Sequence, residues 1–359
     1  MTTFDRAPVW VLLGPHKGDN NQVLALAERL GIPFRSIEMR YRWFAHLPAV
    51  ARGVTVAQLH PEVRRQIAPP WPSLVLGIGQ RSVPVARYIQ QASGGRAKIV
   101  RLGDPMVSHR LFDLVITTTQ YAVRDADNVI RLPVTITRQN ESGADKLEER
   151  WLNSFACPRR LMVIGGKTSL WQFDPEVVIE AARTLLGRAQ REGGSVIAVT
   201  SPRTSPALLS AAQAILGEEA VVSGAFPRYG ALLRGADEIH VTGDSVSMLS
   251  DAIASGKPVG LIPLQPDMVA RFLTFVGDLR GRPFRMRDLN KFWRDLRARG
   301  LVGTLERPQS NALDIAPIEA AVTAIRAALE DRLPERSVPA RVPEVRVPAA
   351  SASAQPLPL

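Results

Sequence analysis

The sequence predicts an α/β protein made of two Rossmann-like domains facing across a cleft. Three observations carry that expectation. Short apolar runs alternate with helical patterns along the chain, the alternation starts afresh near residue 146, and several runs end in Gly- or Ser-containing turns that open directly into helices. At 359 residues there is room for two domains, and 45% hydrophobic residues can fill two cores.

The elements follow in order. Val9–Gly14 is an apolar run suited to a buried strand, and Asn21–Leu30 has helical spacing. Ser73–Gly79 is a strand followed by a helix over Ser82–Gln91, and Lys98–Gly103, Leu114–Thr118 and Val129–Leu132 complete the first sheet. The polar stretch Arg138–Glu149 serves as the connection, so the first domain takes residues 1–145. The second, 146–333, runs through strand Arg160–Gly165, helix Pro175–Glu192, strand Ser195–Ser201, helix Pro206–Leu216, short strand Ala220–Ser223 and short helix Tyr229–Arg234. A late helix over Leu313–Leu333 could pack back on the first domain. Residues 334–359 are rich in Pro, Ala, Ser and Val without periodicity, the composition of a disordered tail.

Between these elements lies the most informative segment. In the stretch that starts Ala236-Asp237-Glu238-Ile239-His240-Val241, a short apolar strand ends in the turn Thr242-Gly243-Asp244-Ser245, and a small-residue helix with Ser247, Met248 and Asp251 starts at once. Gly256-Lys257-Pro258 then leads into the strand Val259–Pro263. Free N–H groups and the positive end of the helix dipole suit a diphosphate there, and Asp251 is placed to reach a ribose hydroxyl. An ordinary βαβ unit with an Asp or Ser cap accounts for the same residues.

Three other turns follow strands. Gly165-Gly166-Lys167-Thr168 resembles the end of a phosphate-binding loop, but Leu161 stands where a Walker A loop needs glycine. The turn can still hold phosphate through N–H groups and the Lys167 charge. Gly77-Ile78-Gly79-Gln80-Arg81-Ser82 is two-thirds of a dinucleotide fingerprint with Asp104 after the next strand, a weak nicotinamide signal. His16-Lys17-Gly18-Asp19-Asn20-Asn21-Gln22 gathers more polar groups than an N-cap needs, on the loop where an α/β cleft does chemistry. His240 sits in a strand and is structural.

Composition limits the function classes. The five histidines lack metal spacing, and the single Cys157 excludes an internal disulfide. No apolar run is long enough to span a bilayer and no secretory pattern opens the chain, so a cytoplasmic protein is expected. The net charge of +11 favours an anionic partner. It is concentrated between Arg271 and Arg299, where Phe272, Phe275, Phe284, Phe292 and Trp293 interleave with the cations. Such a stretch could lie on an anionic membrane, or its aromatics could pack inward beneath a solvated basic face. No nucleic-acid-binding motif is present.

The segments Lys17–Gln22, Gly77–Ser82, Gly103-Asp104-Pro105, Thr242–Met248 and Gly256-Lys257-Pro258 resemble the bacterial mitochondrial-fission ELM-like proteins over roughly residues 9–330. Plant members of that family are implicated in recruiting a dynamin-related protein, and the bacterial members have no settled activity. The second half is also similar to GT-B glycosyltransferases, especially the lipid-linked N-acetylglucosaminyltransferase of peptidoglycan synthesis. That likeness implies a nucleotide-diphosphate sugar in the cleft and no separate cofactor or metal. It implies that Gly165, Gly166, Lys167, Thr168 and Ser245 lie on the diphosphate, Asp251 on ribose, and Phe226-Pro227-Arg228-Tyr229 near the base. Asp19 would be the general base, and Lys17, Gly18, Asn20, Asn21, Gln22, Arg81, Asp104, Arg203, Thr242, Asp244, Ser247 and Met248 complete the expected substrate contacts. Lys17-Gly18 replaces that enzyme's glycine pair. Three functions remain open: sugar transfer to a lipid-linked or lipopolysaccharide-core acceptor, nucleotide-sugar epimerisation using His16, Asp19 and Asp104, or a non-catalytic adaptor at a membrane surface.

Overall fold

The structure, a computed structural model, describes residues 8–46, 53–138, 145–168, 171–266, 268 and 287–329. Residues 334–359 and the part of the basic stretch holding Arg271, Arg280, Arg282 and Arg285 lie outside them.

The first lobe comprises β1 (Val9–Leu13), α1 (Lys17–Leu30), β2 (Phe34–Glu38), α2 (Pro61–Gln66), β3 (Leu74–Ile78), α3 (Val83–Ala92), β4 (Lys98–Leu102), β5 (Leu114–Thr118) and β6 (Val129–Leu132). Its strands form one parallel sheet in the order β2-β1-β3-β4-β5-β6. Helices cover both faces, so β1, β3 and β5 are buried throughout, and their sequences are continuous apolar runs rather than alternating ones. Alternate residues divide between the faces: Val9 and Val11 pack toward α1, Trp10 and Leu12 toward α3.

The second lobe comprises α4 (Lys146–Asn153), β7 (Arg159–Ile164), β8 (Trp171–Gln172), α5 (Pro175–Glu192), β9 (Ser195–Thr200), α6 (Pro206–Leu216), β10 (Val221–Val222), α7 (Tyr229–Gly235), β11 (Glu238–Thr242), α8 (Val246–Ala254), β12 (Val259–Ile262), β13 (Gln265–Pro266) and α9 (Leu289–Ala298). Its parallel sheet runs β10-β9-β7-β11-β12, while β8 and β13 form a separate antiparallel pair. The last described helix, α10 (Pro317–Ala328), buries Ala321, Val322 and Ile325 in the core of the first lobe against α1. A side chain the size of Val322 or Ile325 stabilises by about 1.5–3 kcal/mol when fully buried. Arg326 fastens the helix by donating to the Leu30 carbonyl at 2.8 Å.

One detail differs from the sequence reading and one agrees with it. The connection contains α4, closed by an Asp145–Glu148 capping box, and Glu148 is buried beneath Arg228 at 2.6 Å. His240 is fully buried and bonded to Glu238 at 3.1 Å, the structural role expected of it.

Candidate functional site

Strand order locates the site. In the first sheet the connections reverse direction between β1 and β3, and in the second between β7 and β11. Ligands of open α/β sheets sit at such switch points, outside the carboxyl ends of the strands. The loops there are Gly14–His16, Gly79–Gln80, Gly165–Thr168 and Gly243–Ser245. Residues from all four line one cavity of about 590 Å3 between the lobes.

On the second lobe, Asp244 organises the wall. Its carboxylate is 1% exposed and accepts from the Gly166 N–H at 3.1 Å, the Thr242 hydroxyl at 2.7 Å and Arg203 Nη2 at 2.8 Å. The Gly165 N–H donates to Thr242 Oγ1 at 2.8 Å. Both glycines are required by close approach. A Cβ on Gly165 would lie 2.1 Å from the Asp244 carboxylate oxygens, and one on Gly166 would lie 2.1 Å from the Arg203 carbonyl oxygen. The glycine turn therefore embraces a side chain of its own protein. This corrects the expectation that the Gly165 and Gly166 N–H groups hold phosphate, since both already have acceptors. Thr242 is likewise consumed beneath the turn.

The start of α8 is different. Ser245 is its N-cap, accepting from the Met248 N–H at 3.4 Å, and its hydroxyl lies 3.2 Å from that of Ser247. Among the described residues the Val246 and Ser247 N–H groups have no acceptor. They stand at the positive end of the helix dipole, where an anion is favoured.

Facing this helix start is another. α1 begins at Lys17, four residues earlier than its spacing suggested, so the polar cluster Lys17–Gln22 forms helical turns rather than a loop. His16 is the extended N-cap residue and supplies no side-chain cap. Asn20 turns back to Gly14, accepting from its N–H at 2.8 Å and donating to its carbonyl at 2.9 Å, which commits that amide to structure. A Cβ built on Gly18 would lie 3.7 Å from Ser247 Oγ, so the first turns of α1 and α8 meet across the cleft.

Asp19, at the third position of α1, lines the cavity. Burial pushes its carboxyl up, opposed by the charges of His16, Arg101 and Arg287. Arg101, on β4, is 2% exposed; burial lowers its pKa to about 10, and it donates to Ser82 Oγ at 2.9 Å. Asp104 lines the cavity and accepts from the Met106 N–H at 2.7 Å. Tyr121 lies among these groups, its hydroxyl held protonated chiefly by burial.

Arg287 completes the wall. Its Nε donates to Gln120 Oε1 at 2.5 Å, and the next N–H, of Asp288, donates to the Gln120 carbonyl at 2.8 Å. Burial lowers its pKa, opposed by Tyr121 and by the Asp244 and Asp19 carboxylates, while the Arg203 charge adds to the lowering. The sequence leaves the basic stretch as either a membrane-facing surface or a solvated basic face over inward-packed aromatics; Arg287 fits neither, since it lines the cleft. Farther along, Phe292 and Trp293 are 0% and 3% exposed, packed in the core of the second lobe, while Lys291, Arg294, Arg297 and Arg299 are exposed. In the described part of the stretch, the inward-packing alternative holds.

The family comparison covers most of this architecture. A family model, mitochondrial fission ELM1, matches residues 17–324, from the first residue of α1 into α10. The chain belongs to the mitochondrial fission ELM1 family. An uncharacterized protein of Rickettsia prowazekii (strain Madrid E), RP120, is 20% identical over 295 residues, covering 70% of this chain and 82% of that protein. Among solved structures, S. aureus MnaA with UDP is 12% identical with a TM-score of 0.48, covering 90% of this chain and 97% of that one. The Neisseria meningitidis UDP-GlcNAc 2-epimerase bound to UDP-GlcNAc is 10% identical with a TM-score of 0.46, covering 90% and 99%. Acinetobacter baumannii MurG is 11% identical with a TM-score of 0.41, covering 90% of each.

In this ELM1-family chain the cavity gathers Gly18, Asp19, Gln22, Asp104, Thr168, Arg203, Asp244, Ser245 and Ser247 of the residues singled out in the sequence. Lys17, Asn20, Asn21, Arg81, Gly165, Gly166, Lys167, Phe226, Thr242, Met248 and Asp251 are outside its lining. Arg81 stacks toward the Tyr41 ring, Lys167 is exposed, and Met248 packs on the core. Phe226 is 51% exposed on the loop that Arg228 pins to Glu148. Asp251 lies farther along α8, beside the buried and unpartnered Tyr229 hydroxyl. Burial alone raises its carboxyl to about 7. The sequence reading missed Gln120, Tyr121 and Arg287. The signal available was Thr117-Thr118-Thr119-Gln120-Tyr121, a polar run at the carboxyl end of β5, where a cleft wall is expected.

Proposed function

We propose that this chain binds a nucleotide-diphosphate sugar in the interlobe cleft and, as a GT-B-like enzyme, transfers the sugar to an acceptor hydroxyl. The observation that carries this reading is the meeting of two helix starts, at Gly18 and Ser247, on one cavity that also receives Arg203 and Arg287. The diphosphate would lie on the Val246 and Ser247 N–H groups and the Ser245 and Ser247 hydroxyls. Arg203 and Arg287 would offset leaving-group charge in place of the exposed Lys167. The nucleoside would extend along α8 toward Asp251 and Phe226. Asp19, made more basic by burial, would take the acceptor proton as the acceptor oxygen attacks.

A lipid-linked or lipopolysaccharide-core acceptor at the inner-membrane surface fits the exposed cations of α9, which would meet anionic lipid by charge rather than by inserted aromatics. Among the described residues no helix is long and apolar enough to cross a membrane.

One observation favours a second reading: His16, Asp19 and Asp104 line the same cavity, an acid/base set that could epimerise the sugar. The test is a thermal-shift panel of nucleotide sugars, followed by product analysis with and without acceptor. Conversion of the nucleotide sugar alone selects epimerisation, and acceptor-dependent release of nucleoside diphosphate selects transfer. Absence of any nucleotide-dependent shift overturns the reading and leaves the adaptor.

A further inference from the structure

Resting on that reading, we propose that Asp244 sets the charge the diphosphate subsite accepts, favouring the nucleotide sugar over the free nucleoside diphosphate. The Asp244 carboxylate fills the hollow of the Gly165–Gly166 turn, the place an anion would otherwise take. It is held there from three sides by Gly166, Thr242 and Arg203, and so does not swing away when a ligand arrives. It also lines the cavity one residue before Ser245, the N-cap of α8. A fixed negative charge therefore stands beside the helix start that attracts phosphate.

The two ligands differ in charge at that place. In a nucleotide sugar each phosphate is bridged on both sides, by one ester and by the shared anhydride, and the diphosphate carries two negative charges. In transfer, the bond from the anomeric carbon to the terminal phosphate oxygen breaks and its electron pair stays on that oxygen. The acceptor oxygen forms the new bond, and its proton passes to Asp19. The product diphosphate then ends in a phosphate bridged on one side only, by the anhydride, whose second ionisation falls near about pH 6, so that at pH 8 it carries one more negative charge. One additional unit charge a few ångströms from a desolvated carboxylate, at an effective dielectric of about 20, is disfavoured by at least about tenfold in affinity. Arg203, 44% exposed and bonded to both Asp244 and the Gly166 and Lys167 carbonyls, moderates this repulsion. The carboxylate thus promotes release of the product.

The experiment is calorimetric titration of the full chain with UDP and with UDP-N-acetylglucosamine at pH 8, for the wild type, Asp244→Asn and Arg203→Gln. Asp244→Asn is expected to shift the affinity ratio toward UDP by at least about tenfold, because it removes the charge and keeps the shape. Arg203→Gln leaves the carboxylate uncompensated and is expected to shift the ratio severalfold toward the sugar nucleotide. Should Asp244→Asn melt below the assay temperature, the wild-type ratio at about pH 5.5 decides, where the terminal phosphate of UDP loses most of its second charge: a carboxylate that repels that charge shifts the ratio toward UDP relative to pH 8, and an unchanged ratio or the opposite shift overturns the inference. Binding of both ligands with the same ratio in wild type and Asp244→Asn overturns the inference while leaving the nucleotide reading intact. Binding of neither ligand by the wild type overturns both.

Discussion

Asp251→Asn separates stability from binding at one side chain. The Asp251 carboxyl sits partly buried on α8 with burial as the sole cause of its shift from the ordinary 3.8 to about 7. A carboxyl whose folded-state pKa is raised favours folding while protonated. Its contribution is complete below about pH 4, where both states hold the proton, and is lost as pH rises through about 7. The full rise corresponds to about 4 kcal/mol, and the part lost between pH 5 and pH 8 to about 3 kcal/mol. Asparagine resembles the protonated acid in shape and never ionises. The stability of the variant minus that of the wild type should therefore increase in the variant's favour by about 3 kcal/mol from pH 5 to pH 8.

The assay is denaturant unfolding of both proteins at several pH values, with the difference taken at each pH so that other titrating groups cancel. Nucleotide affinity should move the opposite way. If the carboxylate accepts a ribose hydroxyl, Asn weakens binding at pH 8 by about 1–3 kcal/mol. A stability difference that stays flat with pH would refute the burial argument, and unchanged nucleotide affinity would remove Asp251 from the donor site.

Three further outcomes are expected. Asp19→Asn should abolish turnover while donor affinity stays within about twofold, and wild-type turnover should rise with pH through a value above that of a solvated aspartate; equal activity in the variant would dismiss Asp19 as base. Gly166→Ala forces a methyl group against the Arg203 carbonyl and should cost about 3 kcal/mol by denaturant unfolding, because backbone has to move. Glu148, held at about 2 chiefly by the Arg228 guanidinium, gives stability above its ordinary 4.5 that is lost as pH falls through about 2. Glu148→Gln should flatten that acid limb of the stability profile.

What the sequence made legible follows from where periodicity is strong. β1, β3 and β5 are buried on both faces, so their apolar runs stand out without any knowledge of partners. β2 did not stand out, because Phe34–Glu38 is an edge strand in which only Ile37 is buried. α9 was obscured because its arginines dominate the composition, although Leu289, Phe292, Trp293 and Leu296 mark one helical face. The polar residues Lys17–Gln22 looked like a loop because their chemistry is loop-like. They are helical because Asn20 returns its amide to Gly14 and fixes the turn that launches α1.

The sequence marks the turns that line the cavity but not the atoms that fill them, for one physical reason. A turn after a strand shows in sequence because Gly and Ser are needed there, but which atoms fill the turn depends on contacts distant along the chain. Gly166 and Asp244 are 78 residues apart, and Arg287 reaches Gln120 from 167 residues away. A glycine pair signals that something must approach the backbone closely, without saying whether ligand or protein does so. Here Asp244 and the Arg203 backbone make that approach, which moves the free N–H donors one helix start away, to Val246 and Ser247. The electrostatics shift with them. The cations that face the cavity are Arg203 and Arg287, while Lys167, next to the glycine turn in sequence, points to solvent. Substituting Lys167 should therefore change nucleotide affinity far less than substituting Arg287, and calorimetry on the two alanine variants measures that difference directly; the opposite ranking would return the diphosphate to the glycine turn.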